Sequence, residues 1–240
     1  MIRVERRGPV GLITLDRQER RNAIDQDACR ALVDAVGETE DARVLVLTGA
    51  GDHFCAGADL THVEDTAFVE ALRATLTALR DVRKGVIAAV HGAALGAGTQ
   101  LAIACDLRVA ATDARFGIPA AKLGLMVDHW TVQRLALLAG HGPARSMLLA
   151  AEELDGASAA GLGFVQRVGT LGDALAWADE IAALAPLTIA GHKLMLNRCE
   201  SDVHNDPEVA DAFARAWRSG DLAEGMAAFR ERRRPRFTGD

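Results

Sequence analysis

The sequence is poor in aromatic residues and in lysine. It has no tyrosine, aromatic residues make up 4% of the chain, and the lysines are Lys84, Lys122 and Lys193. The formal net charge at pH 7 is -6. A chain with this balance offers no broad basic face, so we do not expect nucleic acid to be its main partner.

The cysteines are few and unpaired in the sequence. They form no C-x-x-C pair, and none lies at metal-ligand spacing from a histidine, which indicates reduced thiols in a cytosolic protein and no metal site. Nothing near Cys55 in the sequence would lower the pKa of its thiol, so we interpret Cys55 as a packing residue rather than a nucleophile. The cysteines are Cys29, Cys55, Cys105 and Cys199.

A signal peptide and a membrane-spanning pattern are also missing. Charges in the first seven residues are not followed by an apolar run. Residues 85–105 carry no formal charge and are long enough to cross a bilayer, but glycines, a histidine and a glutamine interrupt them. This stretch predicts a buried strand followed by a buried helix. We therefore expect no membrane insertion and a cytoplasmic location.

The composition is that of a globular protein with an α/β fold. The 240 residues are 50% hydrophobic and 25% charged, and they predict one large domain or one domain with an appendage. Short β-branched runs alternate with helical patterns until about residue 169, after which the pattern is helical. We predict an α/β core over residues 1–190 and a helical region over residues 191–240. The predicted strands are 3–5, 10–15, 44–48, 86–90, 107–110 and 164–168, and the predicted C-terminal helices are 174–185, 187–198, 209–218 and 222–231.

Two further helices are indicated between the early strands. Asp25 can cap the first of them. Apolar positions at helical spacing define one face of each helix. These positions are Ala28, Leu32, Val33 and Val36 in the first helix and Phe68, Leu72, Leu76 and Leu79 in the second.

Two glycine-rich stretches follow predicted strands. The first, GAGDHFCAGAD at residues 49–59, allows a tight turn whose N–H groups can hold an oxyanion. The second, GAALGAGTQLAIACD at residues 92–106, joins a strand to a helix. The N–H groups of Ala97 and Gly98 would then lie at a helix N-terminus, where the helix dipole favours negative charge. The G-x-x-x-G-x-G spacing differs from the dinucleotide-binding fingerprint.

Six short segments occur in a characteristic order along nearly the whole chain. They are RRNAI at 20–24, FCAGAD at 54–59, HGAALGAG at 91–98, CDLR at 105–108, FGIP at 116–119 and PRFTG at 235–239. Together they resemble the crotonase family, the enoyl-CoA hydratase/isomerase superfamily. The resemblance is strongest to an actinobacterial hydratase-like subgroup that lacks both catalytic glutamates.

This resemblance implies a spiral of ββα repeats with a helical C-terminal region that forms trimers or dimers of trimers. It implies an acyl-CoA thioester as substrate or ligand and no separate cofactor. The thioester carbonyl is expected to accept hydrogen bonds from the backbone N–H groups of Ala58 and Ala97, an oxyanion hole in which loss of one donor costs ~10²–10³ in rate. The other residues expected to line the CoA and acyl site are Arg21, Ala23, Ala56, Asp59, Leu60, Gly96, His129 and Trp130.

Two positions depart from the hydratase pattern. Hydratases of the family use two glutamates, and the matching positions here are Gln100 and Ala120. Neither side chain can exchange a proton as a carboxylate does, and a general acid or base contributes about 10²–10⁴ in rate. We therefore expect acyl-CoA binding without standard hydratase activity.

Asp128 leaves alternatives open. Its position after Gly124 matches the catalytic aspartate of dienoyl-CoA isomerase and chlorobenzoyl-CoA dehalogenase, so an isomerase or another enolate-based enzyme is the alternative function. Asp128 can instead cap the helix that begins at His129, or line the pocket without reacting. A hydratase with substitute residues is a third alternative. The arginine-rich residues 230–236 are interpreted as a solvated or intersubunit face, or as a contact to a phosphate group.

Overall fold

The computed structural model of the protein describes residues 2–61, 65–198, 214, 217–233 and 235–236. These residues form two β-sheets surrounded by helices. The strands are β1 (Ile2–Arg7), β2 (Val10–Leu15), β3 (Val44–Gly49), β4 (Gly85–Val90), β5 (Ala93–Leu95), β6 (Leu107–Ala110), β7 (Arg115–Gly117), β8 (Leu154–Asp155) and β9 (Arg167–Val168). The α-helices are α1 (Gln26–Glu38), α2 (Thr66–Asp81), α3 (Ala97–Ala104), α4 (His129–Ala139), α5 (His141–Leu149), α6 (Gly156–Gly161), α7 (Leu171–Ala182), α8 (Pro186–Arg198) and α9 (Gly220–Glu231).

The larger sheet has the strand order β1-β2-β3-β4-β6-β9. The β1–β2 pair is an antiparallel hairpin, and every other neighbouring pair is parallel. Every residue of β2, β3 and β4 is buried. Parallel strands covered by helices on both faces carry near-continuous apolar runs, which is the pattern that the sequence shows.

The two faces of this sheet build two separate apolar clusters. Successive side chains of a strand point to opposite faces. Ile13 and Leu15 of β2 pack in the larger cluster, with residues of α1, α2 and α3. Val10 and Leu12 pack in the smaller cluster, against α7. The sheet is therefore a central layer, and α3 lies on the same side of it as α1 and α2.

The smaller sheet, in the order β5-β7-β8, stands beside the start of α3. Its β5–β7 pair is parallel and its β7–β8 pair is antiparallel. The chain passes from β4 through β5 directly into α3, so two strands and a helix follow one another as one ββα unit. The expected α/β spiral of ββα units is confirmed.

A partly buried ion pair attaches α8 to this core. The Lys193 side chain is 6% exposed, and its Nζ lies 2.7 Å from Asp106 Oδ2. Lys193 Nζ also donates to the carbonyl oxygens of Leu79 and Lys84, each at 3.1 Å. Burial raises the pKa of Asp106, and the neighbouring Lys193 opposes this shift.

Most predicted elements match the structure. The hairpin, the Asp25 cap, which accepts from Ala28 N at 2.8 Å, and the apolar stripe of α2 are confirmed. The stripe of α1 is confirmed except at Val33, which is only partly buried and lies outside the apolar clusters. Residues 85–105 form β4, β5 and α3, all buried or nearly so. The strand predicted at 164–168 is wrong in extent, because only Arg167–Val168 pair with β6.

Some predictions concern residues outside the described part of the chain. These include Cys199, residues 237–239, Arg234 and most of the helix predicted at 209–218. The predicted division at residue 190 falls inside α8 and stays a prediction. No single described helix is long and apolar enough to cross a membrane. Helices α7 and α8 together have the length and apolar composition of a span, but the chain bends by 109° between them.

Lys193→Met should destabilise the fold. The substitution removes the cation from the partly buried Asp106 carboxylate and from two carbonyl oxygens. Breaking a fully buried pair from one side costs about 3–5 kcal/mol, which sets the upper limit of the expected loss. Urea denaturation measures the loss. Lys122→Met, at an exposed position, is the matched control and should stay within about 0.5 kcal/mol of the wild type. Equal stability of the two variants would contradict the anchoring role of Lys193.

Candidate functional site

The carboxyl end of β3 leads into a tight loop that Asn22 clamps. The Asn22 side-chain amide donates to the carbonyl oxygens of Ala50 at 2.8 Å and His53 at 2.6 Å. Its Oδ1 accepts from Arg17 N at 2.9 Å. Asn22 is buried and has φ 57°, a left-handed conformation that asparagine adopts more readily than most residues. The RRNAI segment thus fixes the loop that follows β3.

A second loop, between β4 and β5, packs directly on the first. Gly92 permits the contact, because a Cβ at this position would overlap the carbonyl oxygen of Asp52. After Gly92 the two loops pair in parallel. Cys55 N–H donates to Ala93 O at 2.9 Å, and Leu95 N–H donates to Cys55 O at 3.0 Å. Cys55 and Ala94 are bridge partners. Both glycine-rich motifs therefore form one paired structure.

Ala58 and Ala97 each follow this bridge by three residues. The two loops stay close at Gly57 and Gly96, since a Cβ on Gly96 would lie 3.9 Å from the Cα of Gly57. Gly57 has φ 128° and Gly96 has φ 53°, conformations that side chains disfavour. The two glycines therefore let both loops turn at neighbouring positions, just before Ala58 and Ala97.

The backbone N–H groups of Ala58 and Ala97 are available to a ligand. Ile24 N–H donates to Gly57 O at 2.9 Å, and Asp59 N–H donates to Ile24 O at 2.7 Å. In such a parallel bridge the residue between them, Ala58, directs its own N–H away from the partner. Ala97 opens α3, where N–H groups lack intrahelical acceptors. Within the described part of the chain neither N–H has an acceptor.

A cleft of about 1360 Å³ includes both alanines in its lining. Gly98, whose N–H the sequence pattern singled out together with that of Ala97, does not line the cleft. Every residue that the resemblance singled out for the site does line it, while the roles assigned to these residues stay predictions. They are Arg21, Ala23, Ala56, Ala58, Asp59, Leu60, Gly96, Ala97, Gln100, Ala120, Asp128, His129 and Trp130.

Two walls of the cleft were missed by sequence reasoning. One side of α2 contributes Leu72, Leu76 and Arg80, and α9 contributes Met226 and Phe229. The sequence does show the apolar stripe of α2, but such a stripe looks the same whether it covers a core or a cleft. No local pattern in α9 distinguishes its cleft-facing residues from packing residues.

A chain of hydrogen bonds connects α3 to the start of α4. Gln100 is 6% exposed, and its Nε2 donates to Thr131 Oγ1 at 2.8 Å. Thr131 N–H in turn donates to Asp128 Oδ1 at 3.0 Å. The predicted capping role of Asp128 is confirmed. Its Oδ2 has no partner among the described residues, so a catalytic role stays a prediction.

Asp59 is held by its neighbours at the cleft. Its Oδ1 accepts from Thr61 Oγ1 at 2.7 Å, and its Oδ2 pairs with Arg17 at 3.0 Å. The hydrogen bonds from Thr61, aided by Arg17, lower the pKa of Asp59. This carboxyl group is therefore suited to fixing the loop rather than to exchanging protons near neutral pH.

Comparison with known proteins assigns this architecture to a family. The sequence model of the family described as "Enoyl-CoA hydratase/isomerase" matches residues 5–240. The chain belongs to the enoyl-CoA hydratase/isomerase family.

Named relatives and solved structures match this chain over its whole length. The sequence is 43% identical over 242 residues to "Probable enoyl-CoA hydratase echA6" of Mycobacterium bovis, with 100% of both chains covered. A carnitinyl-CoA hydratase from Mycobacterium avium is 32% identical with a TM-score of 0.87, covering 100% of this chain and 98% of that one. Methylmalonyl-CoA decarboxylase, 24% identical, shares the fold with a TM-score of 0.92 over 100% of this chain and 98% of its own.

The Cys55 thiol lies beneath the loop that follows β3. Cys55 is fully buried, and burial raises its pKa to about 12. Its interpretation as a packing residue is confirmed. Among the described residues, no group of three or more His, Cys, Asp and Glu side chains is placed to hold a metal ion.

Gly98→Ala should weaken the site and the fold together. A Cβ at Gly98 would overlap the carbonyl oxygen of Cys55, so the paired loops would have to separate. Overpacking of this kind costs about 1–3 kcal/mol, measurable by urea denaturation. Gly37→Ala is the control: apart from the helix's own backbone and the neighbouring residues, no atom lies within 4 Å of the new Cβ on α1, and a gain of about 0.4–1 kcal/mol is expected. Unchanged stability of the Gly98 variant would contradict the close contact.

Proposed function

We propose that the protein binds fatty acyl-CoA thioesters and has little or no standard hydratase activity. The thioester carbonyl accepts hydrogen bonds from the N–H groups of Ala58 and Ala97. The observation that carries this proposal is the in-register pairing at Cys55 and Ala94, which brings two N–H groups without acceptors to one cleft. Such donors act on the charge that develops on a thioester oxygen.

The chemistry of the cleft wall supports a fatty acyl ligand carried on coenzyme A. Apolar side chains from α2 and α9, including Leu72, Leu76 and Met226, offer contact area to an acyl chain. Arg21 and Arg73 also line the cleft and supply positive charge for the phosphates of coenzyme A.

The absence of carboxyl groups at two positions argues against the hydratase reaction. Gln100 and Ala120 line the cleft, and the family resemblance matches these two positions to the glutamates of hydratases. Water addition needs one group to take a proton from water and another to deliver one, and each contributes about 10²–10⁴ in rate. A glutamine amide and a methyl group do neither.

The proposal extends to assembly as a homotrimer or a dimer of trimers. Helix α8 exposes several large apolar residues, with Leu187 87%, Met195 57% and Leu196 65% exposed. Apolar surface of this extent on one helix favours burial against another chain. A cytoplasmic location stays a prediction.

A second candidate function is isomerisation of the acyl double bond with Asp128 as the base. One observation favours it: Asp128 lines the cleft, and only its Oδ1 is used in the helix cap. In this proposal its Oδ2, which accepts no hydrogen bond from the described residues, takes the proton from the ligand. The lesser alternative, a hydratase with substitute residues, has no comparable second carboxyl group at Ala120.

Product analysis tests the proposal directly. The protein is incubated at near-stoichiometric concentration with 2-enoyl-, 3-enoyl- and 3,5-dienoyl-CoA, and the thioesters are identified by mass spectrometry. We expect unchanged thioesters that are recovered bound to the protein. Hydrated product at enzymatic rates would contradict the proposal, and isomerised product without hydration would favour the Asp128 enzyme.

Asp128→Asn separates chemistry from helix capping. Asparagine caps helices about as well as aspartate, so the start of α4 should be kept. An Asp128-dependent isomerase would lose about 10²–10⁴ in rate. If the protein only binds acyl-CoA, the affinity measured by calorimetry should change little. Asp155→Asn, at the cap of α6 outside the cleft, is the matched control. Isomerase activity that survives in full in the Asp128 variant would exclude this residue as the base.

A further inference from the structure

The first turn of α3 has no capping side chain. Gly96 precedes the helix with φ 53°, and no side chain bonds the N–H groups of this turn from that position. Ser, Thr, Asp or Asn commonly occupy such a position and take up one of these N–H groups. A glycine leaves the turn open to a ligand, so other contacts have to hold the backbone around Ala97 in place.

Contacts on each side of Ala97 attach this turn to Gly117 of β7. Before Ala97, Gly96 N–H donates to Gly117 O at 2.8 Å. After Ala97, Thr99 Oγ1 accepts from Gly117 N–H at 3.0 Å and also lies 2.9 Å from Gly117 O. The same Oγ1 donates to Ala94 O of β5 at 2.6 Å. The Thr99 hydroxyl therefore joins the first turn of α3 to two parallel strands of the smaller sheet.

The Thr99 side chain acts on the backbone and does not contact the ligand. It is fully buried, and the described lining of the cleft does not include it. Its contact with Ala94 O is short because a hydroxyl donates there, whereas a carbon atom approaches a carbonyl oxygen only to about 3.3 Å. Ala94 is also the bridge partner of Cys55 in the loop that carries Ala58. Thr99 thus sets the distance between the turn at Ala97 and the paired loops.

We propose that Thr99 is a positioning residue that directs the N–H of Ala97 toward the carbonyl of a bound thioester. The inference rests on the proposed acyl-CoA function. A hydrogen bond weakens steeply when its donor turns away from the acceptor, so a small displacement of this turn weakens one of the two donors. The N–H of Ala58 is fixed by the bridge to Ile24 and does not depend on Thr99.

Calorimetry with two ligands of equal chain length tests this role. One is an acyl-CoA thioester, and the other is the alkyl-CoA thioether, which has a methylene group in place of the carbonyl. The wild type should bind the thioester more tightly. Thr99→Val replaces the hydroxyl with a methyl group, so this preference should fall by about threefold to tenfold, the value of one neutral hydrogen bond, while the affinity for the thioether is retained. Thr99→Ser keeps the hydroxyl and should keep the preference.

Thr75→Val is the matched control. Thr75 is also fully buried, and its Oγ1 donates to Cys29 O at 2.9 Å, where α2 packs on α1. This variant loses a buried hydroxyl of the same kind, so urea denaturation should show a lower stability, while the preference for the thioester should not change. Thr99→Ala removes the hydroxyl without adding a methyl group in its place. It should reduce the preference in the same direction, and it is the second variant if Thr99→Val does not fold.

The outcomes separate the inference from the proposed function. Failure of both ligands to bind the wild type would overturn the acyl-CoA function. Equal affinity of the wild type for both ligands would contradict the two N–H donors on which that function rests. A wild-type preference that is unchanged in Thr99→Val and Thr99→Ala, or that falls equally in Thr75→Val, would overturn the positioning role of Thr99. A preference that falls only in the Thr99 variants without a hydroxyl supports it.

Discussion

Two backbone hydrogen bonds, between Cys55 and the Ala93–Leu95 strand, hold the candidate site together. They pair the loop after β3 with the loop after β4, so their registers are fixed relative to each other. The N–H groups of Ala58 and Ala97 then depend on turns at Gly57 and Gly96. A site made from backbone needs small residues around it, which accounts for the glycines that line both loops.

Two arginines offset the partial negative charge at the C-terminal end of α3, the helix that carries Ala97. Carbonyl oxygens in the last turn of α3 and just after it accept from two buried arginines: Arg108 Nη1 donates to Cys105 O at 3.0 Å, and Arg134 Nε donates to Ile103 O at 3.0 Å. Burial lowers the pKa of Arg108 to about 10, so it remains cationic at neutral pH. Cations at a helix C-terminus stabilise the helix. Because Arg134 belongs to α4, the same contact also fixes Asp128 and Thr131 relative to Gln100.

The sequence was informative where local rules decide the structure. Glycines at conformations with positive φ, the cap at Asp25 and the buried parallel strands all follow from short-range patterns. The choice of Ala58 and Ala97 as the two N–H donors came from the family resemblance instead. The cleft walls could not be predicted, because Leu72 and Met226 are ordinary apolar positions of amphipathic helices. The Lys193–Asp106 pair and the Gln100–Thr131 hydrogen bond join residues far apart in sequence, and only the packed chain shows them.

Isotope-edited infrared spectroscopy of a bound acyl-CoA measures the central interaction most directly. A thioester labelled with ¹³C at its carbonyl is bound to the protein, and its stretching frequency is compared with the value in water. Two N–H donors polarise the carbonyl, so the account predicts a clear shift to lower frequency that is reduced in Gly98→Ala. A bound thioester whose carbonyl keeps its solution frequency would contradict the assignment of Ala58 and Ala97.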